Sequence, residues 1–259
     1  MNRLELLFSK KDKDIISVYF TAGYPNLNDT GDIIFALQNA GVDMAEVGAP
    51  FSDPMADGPT IQNSSARALK NGMNLRLLLD QVAEARAKGA TIPLVLMGYL
   101  NQMMSFGAEK LFAEAARVGI DAMIIPDLPV EEFDDTLREL SLRYDIPVVM
   151  LVTPETPDRR IRMIDQKCQG GFIYVVSDAA ITGTREKYSD ASIAYFKRLA
   201  DMGLTHRRLI GFGVSNPATF DAACANSSGA IIGSLFIKCL AAEPDIDAAV
   251  SRLLNTLKG

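Results

Sequence analysis

The strongest constraint on this chain is its rhythm. Eight short apolar runs alternate with amphipathic stretches from one end to the other, at 15–20, 44–47, 92–97, 122–125, 146–152, 172–176, 209–212 and 230–232. Most of these runs are continuous rather than alternating, as expected of parallel strands buried on both faces. Residues 28–40, 75–88, 108–118, 131–144, 157–167, 189–202, 216–225 and 244–257 carry helical periodicity, and residues 3–9 predict one more helix ahead of the first strand. Eight strand–helix units in 259 residues predict an α/β fold, an eight-stranded parallel (β/α)8 TIM barrel with an extra N-terminal helix. A doubly wound sheet is the competitor. The Gly-x-Gly-x-x-Gly fingerprint after a first strand is absent, and nothing reads as a P-loop. No linker or low-complexity segment divides the sequence, so residues 1–259 are read as one barrel domain.

The spacing of the runs is uneven. The second starts at 44 and the third at 92, the sixth at 172 and the seventh at 209. The excess falls in the loops after strands 2 and 6, on the C-terminal face where barrels build their active sites. Long loops in compact domains are usually functional or disordered, so both are candidate lids.

Composition removes whole classes of function. The net charge is −6, and the basic residues are scattered, with small clusters at Arg159-Arg160 and Arg207-Arg208, so a nucleic-acid binder is disfavoured. The N-terminal stretch mixes charged and apolar residues and lacks the apolar core of a signal peptide. No apolar run approaches the roughly 20 residues needed to span a bilayer. Three cysteines without close pairing, Cys168, Cys224 and Cys239, suit reduced thiols, and a cytoplasmic location is expected. The single histidine, His206, rules out a two-histidine zinc site, and no metal is expected. It precedes an apolar run and so belongs to the end of the barrel away from the chemistry. Acid–base work then falls to carboxylates, Lys or Tyr.

One stretch concentrates the candidates. Glu46 is a charge inside an apolar strand, which is costly unless it is paired, exposed or used. A barrel-end acid paired with Lys or Arg is one reading. The other is a catalytic acid whose pKa burial raises towards neutrality, so that it both gives and takes a proton. Asp57 follows in an Asp-Gly turn, after a loop stiffened by Pro50 and Pro54 and just ahead of Pro59. Asp53, beside Ser52, reads as a loop-bracing acid. Turn chemistry alone explains Asp57, and only its conjunction with Glu46 lifts it higher.

The second constellation is built on glycine. Strand 7 ends in Gly211-Phe212-Gly213, and strand 8 runs into Gly233-Ser234 at a helix start. Loops after strands 7 and 8 are the common phosphate site of such barrels, because backbone N–H groups at a helix N-terminus receive anions. In the loop after strand 6, Gly183 is placed to complete that anion site and Arg185 to help close a lid. Tyr19, Phe20, Tyr99, Tyr174 and Phe212 stand near strand ends; most read as core, and a mouth lined by several suits a flat apolar ligand.

Read together, the motifs resemble the tryptophan synthase alpha subunit family. The resemblance runs through Phe20-Thr-Ala-Gly-Tyr-Pro25, Glu46-Val-Gly-Ala-Pro-Phe-Ser-Asp-Pro-Met-Ala-Asp57 and Met97-Gly-Tyr99-Leu-Asn101. It continues through Pro126-Asp127-Leu-Pro-Val-Glu-Glu132, Gly171-Phe-Ile-Tyr174, Thr182-Gly183, Gly211-Phe-Gly213 and Gly233-Ser234. It implies a lyase that reversibly cleaves indole-3-glycerol phosphate to indole and glyceraldehyde 3-phosphate in tryptophan biosynthesis. It implies that Glu46 does the proton work and that Asp57 holds the indole N–H. It further implies that Tyr174 lies near the substrate, that Thr182 is a lid residue meeting Asp57, and that Gly183, Gly213, Gly233 and Ser234 bind phosphate. Phe212 joins the substrate-binding set. Ala180 stands where the family often has glycine, which predicts an altered lid hinge. No cofactor is expected on this chain; pyridoxal phosphate is expected on a partner beta subunit, in an alpha2-beta2 heterotetramer. The docking face would be loop 2, loop 6 and the Asn101/Pro129 region. Two rivals remain at this point: a barrel that binds phosphate but mainly activates its partner, and a sugar-phosphate isomerase or aldolase. A Schiff-base aldolase would need a lysine in a strand, and none of the eight runs has one.

Overall fold

The computed structural model describes residues 2–177 and 186–259, with residues 134–136 described by backbone alone. Eight parallel strands close on themselves in chain order: β1 (Ile15–Thr21), β2 (Met44–Gly48), β3 (Leu94–Met97), β4 (Ala122–Ile124), β5 (Val148–Val152), β6 (Phe172–Val176), β7 (Arg207–Gly211) and β8 (Gly229–Ile232). β1 pairs with β2 on one side and β8 on the other, which completes the barrel. The runs are apolar because one face of each strand meets the barrel interior and the other meets the helices. Phe20, Phe112, Phe133, Phe172, Phe196 and Phe236 are fully buried, each contributing roughly 1.5–3 kcal/mol of hydrophobic stabilisation.

Register sets who shares the interior. Tyr19 lies opposite Glu46, and Thr21 opposite Gly48. Glu46 in turn lies opposite Val95 of β3. Tyr174 lies between Leu151 and Leu209. Side chains alternate along a strand, so Ser17, Tyr19, Glu46, Gly48 and Tyr174 belong to one inward-facing set.

The helices outside the strands include α2 (Thr30–Asn39), α4 (Leu75–Ala87), α9 (Asp158–Lys167) and α10 (Asp190–Asp201), while α1 (Arg3–Lys10) closes the N-terminal end. Asn2 and Glu5 form a capping box at its start, and the Phe8 ring meets Phe172 edge-on at 6.2 Å. The Arg3 backbone N–H and guanidinium both donate to the buried Asp121, which also receives Arg86 and the N–H of Leu94. His206 sits at this same end, its Nδ1 3.1 Å from Asp165 Oδ1 and remote from the strand C-termini. All three cysteines are free and buried.

Three departures from the expected elements stand out, beside one helix start that is borne out. The long interval after β2 is not a lid throughout: α3 (Pro59–Lys70) occupies it, started by Gly58 and Pro59. Its buried stripe is Ile61, Ser64, Ser65 and Ala68, half of it serine and only one member a large aliphatic, so its apolar face is a weak signal in the sequence. A short helix, α5 (Leu100–Phe106), follows β3 and precedes α6 (Ala108–Val118). The helix expected over 131–144 is two, α7 (Val130–Thr136) and α8 (Arg138–Tyr144), divided at Leu137. The helix start read at Gly233-Ser234 becomes α12 (Ser234–Ala242), ahead of α13 (Ile246–Lys258).

Candidate active site

Glu46 is fully buried in the barrel interior. Ser17 Oγ donates a hydrogen bond to Glu46 Oε1 at 2.8 Å, and Oε2 has no partner among the described residues. No Lys or Arg forms an ion pair with it among the described residues, so the structural ion-pair reading fails. Burial pushes the Glu46 carboxyl up to about 8, with the Ser17 hydrogen bond opposing that rise. At neutral pH Glu46 is therefore mostly a neutral acid with one uncommitted oxygen.

Asp57 occupies a different environment. It is half-buried in the loop between β2 and α3, and Tyr99 Oη donates to its Oδ2 at 2.9 Å. The Ala56 N–H donates to the same Tyr99 oxygen at 3.0 Å, and the Tyr99 ring stacks on Phe51 at 5.1 Å. Tyr99 thus ties the Asp57 loop to the end of β3. Burial raises Asp57 to about 6, and the Tyr99 hydrogen bond holds it down. The two carboxyls are split, one largely protonated and one largely ionised near pH 7, which is how a site separates acid and anion roles. Asp53 is exposed and accepts from Ser52, as a loop-bracing acid should.

Two tyrosines fill the interior by leaning on glycines of the next strand. A Cβ at Gly48 would lie 2.2 Å from Tyr19 Oη, and one at Gly211 would lie 2.3 Å from Tyr174 Oη. The Tyr174 phenol is raised well above its ordinary pKa by burial and then by the nearby charges of Glu46 and Asp57, so it remains a neutral donor. Phe212 meets Tyr174 edge-on at 6.2 Å. Its φ is +65°, and its carbonyl accepts from Ser177 Oγ at 2.6 Å and Tyr188 Oη at 3.1 Å. Those two bonds hold Phe212 in a left-handed conformation that a bulky residue rarely adopts.

Gly213 follows with φ +79°, in the loop after β7, and β7 pairs with β8, the strand that leads into Gly233. At α12, Gly233 supplies no side-chain cap, and the first helix bond runs from the Ile237 N–H to the Gly233 carbonyl at 3.1 Å. The N–H groups of Ser234, Leu235 and Phe236 precede that bond and have no carbonyl partner within the helix. The neighbouring helix α11 (Pro217–Asn226) is different: Asn216 and Thr219 close its first turn as a capping box. Of the two helices at this corner, α12 is the one whose N-terminus is open to an anion. Thr182, Gly183, Arg185 and Ala180 lie outside the described residues. Among the described residues no group of three His, Cys, Asp or Glu side chains is placed to hold a metal.

Sequence reasoning passed over Ser17, read Gly48 and Gly211 as strand ends without the rings that lean on them, and left Tyr19 and Tyr99 among the aromatics near strand ends. A serine inside an apolar strand gives no signal of its own. Gly48 and Gly211 do, since each ends its strand at the level where a facing ring must fit.

The fold and site define a class: a (β/α)8-barrel enzyme with two differentiated carboxylates beside an anion-receiving helix N-terminus. Residues 6–258 match the family model described as Tryptophan synthase alpha chain. The chain is 52% identical over 258 residues to the tryptophan synthase alpha chain of Parabacteroides distasonis, covering all of both chains. It superposes on tryptophan synthase subunit alpha from Legionella pneumophila with a TM-score of 0.89 at 29% identity, covering 100% of this chain and 97% of that one. For a chain of the tryptophan synthase complex from Pyrococcus furiosus the TM-score is 0.85 at 32% identity, covering 95% and 98%. The chain belongs to the tryptophan synthase alpha chain family.

Proposed function

We infer that the barrel mouth is where this chain, a carbon–carbon lyase, cleaves indole-3-glycerol phosphate to indole and glyceraldehyde 3-phosphate in tryptophan biosynthesis. The observation that carries the residue assignment is the burial of Glu46 with one oxygen uncommitted, against a half-buried Asp57 held by Tyr99, which makes Glu46 the weaker acid, at about 8 against about 6. Cleavage needs a proton delivered to indole C3, so that the ring leaves as neutral indole. It then needs the proton of the adjacent side-chain hydroxyl removed as that carbon becomes an aldehyde. Glu46 does both in turn: it gives its proton to C3 and, now a carboxylate, takes the hydroxyl proton as the C–C bond breaks. The bonding pair returns to the ring, and Glu46 ends as it began. Asp57 holds the ring N–H and stabilises the positive charge that C3 protonation places on the ring.

The open first turn of α12, with Gly233 and Ser234, and Gly213 on the adjacent loop receive the phosphate, with Gly183 completing the set. Tyr174 and Phe212 flank the apolar ring, and Thr182, outside the described residues, is carried as a lid residue by the family resemblance. Carboxylates suffice for this acid–base chemistry, so the reaction needs no cofactor on this chain; pyridoxal phosphate belongs to the beta subunit. None of β1–β8 carries a lysine, which disfavours a Schiff-base aldolase.

A beta-subunit partner is supported by the likeness to chains of tryptophan synthase complexes. Met55 on the loop after β2 and Met104 on α5 after β3, 89% and 48% exposed, give the mouth an apolar surface suited to docking. We place Asn101 and Pro129 on the same face and read the assembly as alpha2-beta2, the chain as one domain, and its location as cytoplasmic. Among the described residues no helix is long and apolar enough to cross a membrane.

The test is indole release from indole-3-glycerol phosphate by the purified chain, alone and with a beta subunit. Release that rises with the partner supports both the reaction and the docking face. A folded Glu46→Gln variant that binds substrate yet keeps wild-type turnover rejects the Glu46 assignment. No release under either condition from a folded, phosphate-binding wild type would favour the partner-activating reading.

A further inference from the structure

We propose that Ser17 is a positioning residue for the lyase reaction: its hydroxyl pins one oxygen of Glu46, so that the other oxygen alone carries the proton exchanged with substrate. This rests on the reading of Glu46 as the proton-transfer group.

The geometry is specific. Ser17 and Glu46 are both fully buried, on adjacent strands. Ser17 pairs with Met44 in the ladder and Tyr19 with Glu46, so Ser17 sits one side-chain level nearer the closed end of the barrel than the acid it contacts. From there its Oγ reaches Glu46 Oε1 at 2.8 Å. Neither neighbour on the Glu46 level bonds to it: Val95 is apolar, and the Tyr19 hydroxyl is 3.4 Å from Thr21 Oγ1, leaning over Gly48. Tyr19 and Tyr174, whose phenols feel the Glu46 charge, are the titratable side chains facing it, and neither is hydrogen-bonded to it among the described residues. Ser17 is therefore the one hydrogen-bond donor on this carboxyl among the described residues, and Oε2 is left without a partner.

The chemistry follows from counting protons. A serine hydroxyl has one, and here it points at Oε1. Neutral Glu46 accepts that hydrogen bond best through its carbonyl-type oxygen, which places its own proton on Oε2. When the Oε2–H bond breaks and the C3–H bond forms, Oε1 keeps the same donor, and Ser17 stabilises the carboxylate until Oε2 takes the substrate hydroxyl proton. A hydrogen bond to the ionised form is stronger than one to the neutral form, so Ser17 holds the Glu46 pKa below what burial alone would set.

Removing the hydroxyl has two effects that a space-filling role does not produce. Glu46 loses its preferred oxygen and rotamer, which slows the chemical step. It also holds its proton to higher pH, which moves the alkaline limb of the pH–rate profile upward.

The experiment measures kcat and KM for indole-3-glycerol phosphate cleavage between pH 5 and 10, with the beta subunit present. It compares wild type, Ser17→Ala, Ser17→Cys and Glu46→Gln, with circular dichroism confirming folding. Ser17→Ala is expected to lower kcat about tenfold at neutral pH with KM within about twofold, and to shift the alkaline limb up by about one unit. Ser17→Cys, with nearly the same volume and a weaker donor, is expected to shift it in the same direction by less. A folded Ser17→Ala with wild-type kcat and an unmoved alkaline limb overturns the proposal. If Ser17→Ala does not fold, an unmoved limb in Ser17→Cys overturns it in its place. Glu46→Gln separates the two levels: wild-type turnover there removes the underlying reading. An inactive Glu46→Gln beside an unaltered Ser17 series removes only the role of Ser17.

Discussion

Tyr19 lies against the backbone of Gly48 so closely that a methyl group at that glycine would come within 2.2 Å of its hydroxyl and 2.5 Å of its ring carbon. The side chain therefore reaches into the mouth only because its neighbouring strand ends in a residue without one. Gly48→Ala should expel the ring from its place beside Glu46. The expected cost is about 1–3 kcal/mol of stability, with a greater than tenfold loss of turnover. Thermal unfolding and steady-state indole release check the two effects.

The split carboxyls predict a bell-shaped dependence of kcat/KM on pH. Asp57 must be ionised, which sets the acid limb near its value of about 6. Glu46 must begin protonated, which sets the alkaline limb near about 8. Rates of indole release across pH 5–10 read both limbs, and a profile flat across this range contradicts the assignment.

Stability should show the same buried acid with a definite sign. Glu46 has a folded pKa raised from 4.5 to about 8, so its favourable share of stability is complete below about 4.5 and is lost as pH rises through about 8. Glu46→Gln removes that loss. Its gain in unfolding free energy over the wild type should be larger at pH 8 than at pH 5, by a few kcal/mol at most, roughly, with a matching rise in melting temperature. Paired thermal scans at the two pH values measure it.

Tyr99→Phe removes the hydroxyl that donates to Asp57 and accepts from the Ala56 N–H. The hydrogen bond lowers the Asp57 pKa, so its loss should move the acid limb upward by up to about one unit. The Phe51 stacking partner is kept, so the global fold should hold. The limb shift and near-wild-type circular dichroism together distinguish loss of the bond from collapse of the loop.

Gly233→Asp puts a carboxylate at the open first turn of α12. Affinity for glycerol 3-phosphate, measured by calorimetry, should fall at least tenfold, roughly, since like charge now meets the anion at its receiver. Asp221→Asn on α11, whose first turn is closed by Asn216 and Thr219, serves as the control and should leave affinity unchanged within about twofold.

The barrel itself was legible because eight buried strands must be apolar on both faces, and that leaves a mark in every run. Glu46 was legible for the opposite reason, as the charge that breaks such a run. What stayed hidden has small side chains. Helix α3 buries Ser64, Ser65 and Ala68 rather than a leucine stripe, so the long interval before β3 read as loop. Ser17 contributes a single hydroxyl, and nothing in its neighbours along the sequence says that it faces a carboxyl 29 residues away. Tyr99 read as core because its ring is core; only the fold reveals that its oxygen holds Asp57. Thr182 and Gly183 lie outside the described residues, so the resemblance alone carries them.

The helix that closes the barrel floor has a further consequence. With Phe8 set against Phe172 and Arg3 bound to Asp121, this first helix ties the starts of β6 and β4 together from below. Losing the chain's first turn would strip cover from the ends of two strands at once and leave Asp121 to Arg86, so a frayed start loosens the barrel at the end opposite its chemistry.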